Sequence, residues 1–192
     1  MTAPNRGPEA SGGPVVDELH TRLLTFVGRT SGSPRVAPDA VNEPMIRHWC
    51  QAMSDWNPAY TDPDRARTGP FRQTVAPPAM LQSWTHHDRR CPSPKQSGNA
   101  EEELVAELAD AGYTSVVATG CTLRIARYLT VGERVRYQAT IRSISPRKST
   151  ALGEGYFITT EMRYTDDADE LVGSVDFVTL RFRPRRPRER GE

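Results

Sequence analysis

Residues 54–63 read SDWNPAYTDP, and the interpretation of the fold depends more on this stretch than on any other. An acid, Asp55, precedes an Asn-Pro turn, and an aromatic residue, Tyr60, follows the acid by five positions. An Asp held beside a tight turn is a common way to aim a general base at a bound substrate. The same residue types also form ordinary turns, because Asn and Asp side chains bond to the turn backbone and Pro fixes φ. The stretch alone leaves both interpretations open.

Apolar residues at helical spacing stand on either side of this motif. Before it, Met45, Ile46, Trp49, Cys50 and Met53 form one face of a predicted helix over 44–53. The same periodicity, together with Pro, Asp and Glu at helix starts, predicts further helices. These helices cover residues 15–27, 63–68, 79–84 and 101–111. A short extended piece is predicted near Val36.

After Thr114, apolar and polar residues alternate with a period of two, which indicates strands. Four extended runs are predicted over 114–129, 132–145, 154–165 and 170–183, separated by short turn-forming segments. Long strands joined by tight connections form an antiparallel sheet with one face buried. Helices in the first half and strands in the second therefore predict an α+β fold, in which helix covers the sheet.

The length and composition of the chain predict one domain over 15–183. A chain of 192 residues with 36% hydrophobic content can bury a single core. The ends, 1–14 and 184–192, are rich in Pro, Gly and charge, so we expect disorder there, with the basic C-terminal end a tail or a linker to a further domain. The net charge of +1 argues against nucleic acid or an anionic membrane as a partner.

Cysteine usage and hydropathy predict a cytoplasmic protein without a metal. Cys50, Cys91 and Cys121 are odd in number and widely separated, which fits reduced thiols. His86, His87 and Cys91 lie close together, but their spacing matches no zinc pattern. The sequence has no apolar run of membrane-spanning length and no apolar segment of the secretory type at its start.

This order of parts resembles the MaoC-like dehydratases and hydratases, whose hot-dog fold wraps a long antiparallel sheet around a central helix. The segments PMIRHWCQAMSDWNPAYTDPDRA (44–66) and VAPPAMLQSW (75–84), the second at the start of the central helix, carry the resemblance best. The second half, including LGEGYF at 152–157, is similar to the N-terminal MaoC-like domain of large subunits of steroid side-chain enoyl-CoA hydratases. The resemblance implies a single hot-dog domain with an extra N-terminal helix.

The resemblance also implies which residues act. Active members carry Asp-x-Asn-Pro-x-His, whose Asp and His add water across a 2-enoyl thioester. Asp55, Asn57 and Pro58 match this pattern, but Tyr60 stands where the His is expected. A phenol with a pKa of about 10 is a poor base at neutral pH, whereas an imidazole passes protons readily there. Asp55 is then either vestigial or the one remaining catalytic candidate.

A second departure concerns the start of the central helix. The family's helix opens with His-Gly, whose Gly N–H donates a hydrogen bond to the thioester carbonyl, but this sequence has Pro77-Pro78. Pro has no N–H to donate, and loss of one such donor costs about 2.7–4 kcal/mol of transition-state stabilisation. We therefore expect the isolated chain to be a very poor hydratase.

Three functions remain open at this stage. The preferred hypothesis is a pocket-forming, non-catalytic subunit of a heteromeric enoyl-CoA hydratase, in which a second hot-dog subunit carries Asp-x-Asn-Pro-x-His and the pairs assemble into heterotetramers. The first alternative is a self-sufficient homodimeric hydratase or thioesterase that uses Asp55. The second alternative is a non-enzymatic acyl-CoA-binding or scaffolding protein. In each case the ligand is a CoA thioester and no further cofactor is expected.

Candidate ligand contacts follow from the same resemblance. Asp55, Trp56, Asn57 and Tyr60, with Pro77 and Pro78, are expected to face the substrate, although Trp56 and Tyr60 suit packing under the motif loop equally well. Cationic groups bind phosphates, so Arg147 and Lys148, in a turn between strands, are candidates for the CoA phosphates, although they also suit a solvated turn. The resemblance leaves the acyl group open between a steroid, a fatty chain and an aromatic acid.

Overall fold

The computed structural model describes residues 17–86 and 98–185. The predicted disordered segment 1–14 and most of the predicted tail, from residue 186 onward, lie outside these residues. The described part contains a six-stranded antiparallel sheet with the order β1-β3-β5-β6-β2, and β4 pairs with β5. The strands are β1 (Arg35–Val36), β2 (Ser115–Ile125), β3 (Arg136–Ile144), β4 (Lys148–Ser149), β5 (Gly153–Thr165) and β6 (Leu171–Pro184).

The long strands agree with the period-two prediction to within a few residues at each end. The first predicted strand, 114–129, is the exception, because β2 ends at Ile125. Directly after β2, the backbone N–H groups of Ala126 and Arg127 both donate to the Val172 carbonyl. The chain therefore leaves the regular hydrogen-bond ladder of the sheet at this point. The short extended piece predicted near Val36 is β1, which pairs with β3.

The helices are α1 (Glu18–Leu24), α2 (Glu43–Met53), α3 (Pro58–Thr61), α4 (Pro63–Thr68) and α5 (Ala100–Asp110), with a 3-10 helix at Pro78–Thr85. The predicted helix 15–27 is shorter within the described residues, since it ends where the N–H of Thr25 bonds to Arg22 and Leu23. The prediction missed α3, a single turn inside the motif. Met53 is 61% exposed and does not belong to the buried face of α2 as predicted.

The helices pack on one face of the sheet in two hydrophobic clusters. The first cluster joins α2 and the 3-10 helix to the sheet through Ile46, Cys50, Trp84, Tyr164 and Val175, among other residues. The second joins α1 and α5 to the sheet, and its members include Leu23, Leu104, Leu108, Ile141 and Tyr156. The expected helical layer is therefore present, and the 3-10 helix and α5 are two separate pieces of it, in agreement with the separate predictions over 79–84 and 101–111. The stretch between them, predicted as a polar loop over 85–99, lies outside the described residues from 87 to 97.

Strand β2 forms one edge of the sheet and is exposed along most of its length. Its pairing with β6 leaves the opposite side of the strand without a partner strand among residues 17–86 and 98–185. Two apolar residues of this strand are exposed, Val116 at 51% and Leu123 at 38%. Within the described part of the chain, no helix is long and apolar enough to span a bilayer.

Candidate active site

The end of α2 places Asp55. Asn42 caps the start of this helix by accepting a hydrogen bond from the Met45 N–H at 3.0 Å. The helix ends at Met53, and the next residue, Ser54, has a φ of 55° that turns the chain out of the helical direction. The Asp55 N–H then donates to the carbonyl of Cys50 at 2.9 Å, so the carboxylate follows directly after a buried helical turn.

The Asp55 side chain takes part in the turn that follows it. Its Oδ1 accepts a hydrogen bond from the Asn57 N–H at 3.1 Å. The Asn57 side chain in turn accepts from the Ala59 N–H at 3.0 Å and so caps α3. The turn interpretation of the motif is thus confirmed, and it coexists with a half-exposed Asp55 carboxylate. The neighbouring Trp56 is 66% exposed.

Tyr60 projects from α3 onto the first cluster and is half-buried. Burial raises the pKa of Tyr60 to about 12, and contact with Tyr128, which includes a side-chain hydrogen bond, and the nearby Asp55 carboxylate act in the same direction. A phenol in this environment keeps its proton at neutral pH. Tyr60 can therefore donate a hydrogen bond, but it cannot act as a general base.

Two aromatic residues of this region carried no signal in the sequence. Phe71 contacts Tyr128 with a ring-centroid separation of 4.5 Å, and Tyr128 in turn contacts Tyr60. Phe71 lies between the predicted helices 63–68 and 79–84, Tyr128 falls in a predicted strand, and neither position belongs to the motif. Their place beside the motif comes from long-range packing.

Pro77 and Pro78 line a narrow cleft with Tyr128 and Leu129. Pro77 is buried and Pro78 is half-buried. The space in this cleft is about that of a single water molecule. In the described structure the cleft is thus too small for an acyl chain, and Pro78 offers it no N–H donor.

Arg147 and Lys148 lie beside the second cluster, away from the motif. Arg147 forms ion pairs with Glu154 at 3.0 Å and with Asp17 at 3.5 Å. The Lys148 ammonium lies 5.8 Å from the centre of the Phe157 ring. The structure does not bring these cations together with Asp55, and their role in phosphate binding stays a prediction.

The histidine and cysteine residues near 86–91 lie mostly beyond the described part of the chain. His86 is described and follows the 3-10 helix, whereas His87 and Cys91 lie outside the described residues. Residues 17–86 and 98–185 contain no group of three His, Cys, Asp or Glu side chains placed to hold a metal ion.

Comparison with known proteins identifies the family to which these features correspond. A family model described as "FAS1-like, dehydratase domain region" matches residues 25–175. A probable enoyl-CoA hydratase alpha subunit of Thermomonospora curvata is 45% identical over 171 residues, which are 88% of this chain and 54% of that protein. The 3-oxo-4,17-pregnadiene-20-carboxyl-CoA hydratase alpha subunit of Mycobacterium tuberculosis is 40% identical over 169 residues, 88% of this chain and 53% of that protein. The chain therefore spans about half the length of these curated relatives.

Solved structures confirm the hot-dog fold. A chain in the crystal structure of the ChsH1-ChsH2 complex from Mycobacterium tuberculosis superposes with a TM-score of 0.77 at 36% identity, over 87% of this chain and 95% of that one. An (R)-hydratase from A. caviae involved in PHA biosynthesis has a TM-score of 0.53 at 15% identity, over 80% of this chain and 94% of that one, and so shares the fold. The predicted α+β hot-dog domain is thus correct.

Proposed function

Because the chain belongs to the FAS1-like dehydratase family and is a MaoC-like hot-dog domain of it, we propose that it is a pocket-forming, non-catalytic subunit of a heteromeric enoyl-CoA hydratase. The complex adds water to a 2-enoyl-CoA. The Asp and His that activate this water belong to a second hot-dog chain that carries Asp-x-Asn-Pro-x-His.

The observation that carries this proposal is the state of Tyr60. It occupies the position of the family's His, and its pKa is raised to about 12. At neutral pH roughly one such phenol in 10⁵ is ionised, so the water molecule finds no base there. Asp55 lacks the partner with which a carboxylate of this family acts. The proton transfers must then be made by groups on another chain.

The cleft at Pro77 and Pro78 supports the same conclusion. The developing negative charge on a thioester oxygen needs a donor such as a backbone N–H, and Pro78 has none. The cleft also leaves space for little more than a water molecule. Both the base and the oxyanion donor are thus replaced in this chain, and a rate contribution of about 2.7–4 kcal/mol is lost with the donor alone.

The names of the relatives agree with a multi-subunit assembly. The two curated relatives described above are called alpha subunits, and the structure that superposes with a TM-score of 0.77 is a complex, ChsH1-ChsH2. The Mycobacterium tuberculosis relative is named for a steroid side-chain thioester. We therefore propose a CoA thioester with a bulky ring-containing acyl group as the substrate, and pairs of subunits that assemble further into a heterotetramer.

The exposed edge strand β2 is the surface that we propose for the catalytic chain. Its unpaired backbone groups offer a template for another strand, and native proteins rarely leave so long an edge open. Val116 and Leu123 would be covered by the same contact. A hot-dog partner has long strands of its own, so that pairing along β2 joins the two sheets.

The residues around the motif keep a binding role in this proposal. Asp55, Trp56, Asn57 and Tyr60 face the substrate side, together with Pro77 and Pro78. Lys148 is the freer of the two candidate phosphate ligands, because the Arg147 guanidinium is held by Asp17 and Glu154.

The test compares the chain alone with the chain co-purified with the hot-dog protein that carries the intact motif. We expect hydration of a 2-enoyl-CoA only by the complex. Asp55→Asn in this chain should leave at least about one third of the kcat, whereas replacing the motif Asp of the partner chain should lower kcat by about a hundredfold or more. Ordinary turnover by the chain alone, abolished by Asp55→Asn, would instead establish the homodimeric enzyme.

A further inference from the structure

One face of the sheet is partly open between the two hydrophobic clusters. Phe177 of β6 lies opposite both Thr160 of β5 and Cys121 of β2, and Met162 follows Thr160 by two positions, so these side chains share one face. Tyr164, two positions further along β5, is buried on this face under the first cluster. Met162 and Phe177 are half-buried and Cys121 is exposed among the described residues. An apolar surface of this kind suits an apolar ligand.

Hydrogen-bond donors without good acceptors border this surface. Tyr164 is 1% exposed, and its hydroxyl lies 3.5 Å from the Met162 sulfur. The Gln82 side-chain amide approaches the same sulfur at 4.0 Å. A thioether is a weak acceptor. Trp84 is 2% exposed, and its indole N–H has no hydrogen-bond partner in the described part of the chain.

The other polar groups at this place are the Thr85 hydroxyl and the Gln82 amide, which carry both donors and acceptors. The Thr85 hydroxyl donates to the Gln82 carbonyl at 3.0 Å. Burial raises the pKa of Tyr164 to about 12, while hydrogen bonds with Thr85 and Gln82 act in the opposite direction. The Trp84 N–H therefore stays without an acceptor among the described residues, and the Tyr164 O–H has a weak one in the Met162 sulfur.

The contrast with Tyr156 shows that this arrangement is not general in the protein. Tyr156 is also fully buried, but its hydroxyl donates to the Asp17 carboxylate at 2.8 Å. Buried donors in native proteins are nearly always satisfied, so each exception requires an explanation. The Trp84 N–H is such an exception among the described residues, whereas the Tyr164 O–H has only a sulfur acceptor.

We propose that Gln82, Trp84 and Tyr164 form the polar end of the acyl-binding surface and hydrogen-bond a ketone or hydroxyl oxygen on an otherwise apolar acyl group. Met162 and Phe177 contact the apolar part. The oxygen is neutral, because these side chains include no cation to pair with a carboxylate. The inference rests on the proposed function, since it assumes that the acyl group of the thioester reaches this face.

The experiment uses the complex with the catalytic partner and two 2-enoyl-CoA thioesters that share one fused-ring skeleton, one with a ring ketone and one without. We expect the ketone to raise kcat/KM about tenfold, mainly through KM, since a hydrogen bond remote from the reacting atoms contributes mostly to binding. Tyr164→Phe and Gln82→Leu should each reduce this ratio to about threefold or less. Tyr156→Phe is the matched control, and it should leave the ratio unchanged because its hydroxyl belongs to the other cluster.

The outcomes separate this inference from the proposed function. If the wild-type complex hydrates neither thioester, the proposed function is wrong. If it hydrates both and the ratio is near one, or is the same in Tyr164→Phe and Gln82→Leu as in the wild type, ordered water satisfies the donors and the inference alone is wrong. Equal losses for both thioesters in both variants would likewise indicate a purely structural cluster.

Discussion

Two regions of the molecule combine an aspartate with a buried or half-buried tyrosine, and they use the pair in different ways. In the first, Asp55 and Tyr60 stand in one motif beside the first cluster, and the Tyr60 hydroxyl bonds to Tyr128. In the second, Asp17 and Tyr156 are 139 positions apart, and the Tyr156 hydroxyl donates directly to the carboxylate at 2.8 Å. The first pair lies at the candidate active site, whereas the second pair links the start of α1 to the sheet.

The partners of each carboxylate account for the difference. Burial acts to raise the pKa of Asp17, but hydrogen bonds from Tyr156 and the His20 N–H, with the nearby Arg147, hold it below its ordinary value. These donors come from α1, β5 and the turn before β4, so the carboxylate links three parts of the chain. The Asp55 side chain accepts from the Asn57 N–H of its own loop. The same residue types therefore join distant segments in one place and form a local turn in the other. The contact between Asp17 and Tyr156 is called the clamp below.

The largest effect that we expect comes from the glycine beside the clamp. A Cβ at Gly155 would overlap the Arg181 carbonyl oxygen and lie 2.7 Å from the Phe182 Cα, both on the neighbouring β6. Gly155→Ala should therefore lower the free energy of unfolding by roughly 3 kcal/mol or more, measured by urea denaturation. Gly120→Ala in β2 is the control, because its Cβ would meet Val178 at an ordinary 3.5 Å. Equal stabilities of the two variants would contradict the close packing at Gly155.

Removing the two phenolic hydroxyls tests the comparison directly. Tyr156→Phe deletes a bond to a carboxylate and should lower the free energy of unfolding by about 1.5–3 kcal/mol. Tyr60→Phe deletes a bond to another phenol in a half-buried place, so we expect a loss of less than about 1 kcal/mol. Both are measured at neutral pH by chemical denaturation. A larger loss for Tyr60→Phe would show that the motif region, and not the clamp, holds the fold.

The clamp should also make stability depend on pH in the acid range. Because the pKa of Asp17 is lowered in the folded protein, its contribution is present above the ordinary carboxyl pKa of about 3.9 and is lost as pH falls through the folded value. The stability gap between the wild type and Asp17→Asn should thus be about 1 kcal/mol near neutral pH and shrink at lower pH. Asp39→Asn, at an exposed position, is the control. A gap that stays constant from pH 7 to acid would refute the linkage.

The sequence predicted those features that depend on neighbours along the chain. Alternation such as that of VDFVTLRF over 175–182 predicts a strand, and β6 is one. The turn chemistry of Asp55 and Asn57 also follows from their spacing. By contrast, the bond between Asp17 and Tyr156 joins residues far apart in the chain, and no local pattern indicates it. The ion pairs of Arg147 have the same long-range origin, so its position in a turn suggested a free cation.

The candidate site was predictable to the same extent and for the same reason. The motif identified Tyr60 as the departure from the family pattern, because a residue type is visible in a sequence. The contacts of Tyr60 with Tyr128, and of Tyr128 with Phe71, depend on how the segment after β2 packs against the loop after α4. The two-part helical layer, by contrast, follows from the sequence, because the apolar periodicity predicts separate helices over 79–84 and 101–111.

The smallest effect concerns the titration of Tyr60 itself and decides whether the motif region could hold a base. With a pKa of about 12 in the folded state, Tyr60 should ionise later than an ordinary tyrosine at about pH 10. The part of the free energy of unfolding that depends on neutral Tyr60 is fully present below pH 10. It is lost as the pH rises through about 12. The phenolate absorbance of the wild type minus that of Tyr60→Phe gives this curve, over the range in which circular dichroism shows the fold intact. Ionisation of Tyr60 near neutral pH would return the homodimeric enzyme to consideration, because the phenolate could then replace the imidazole.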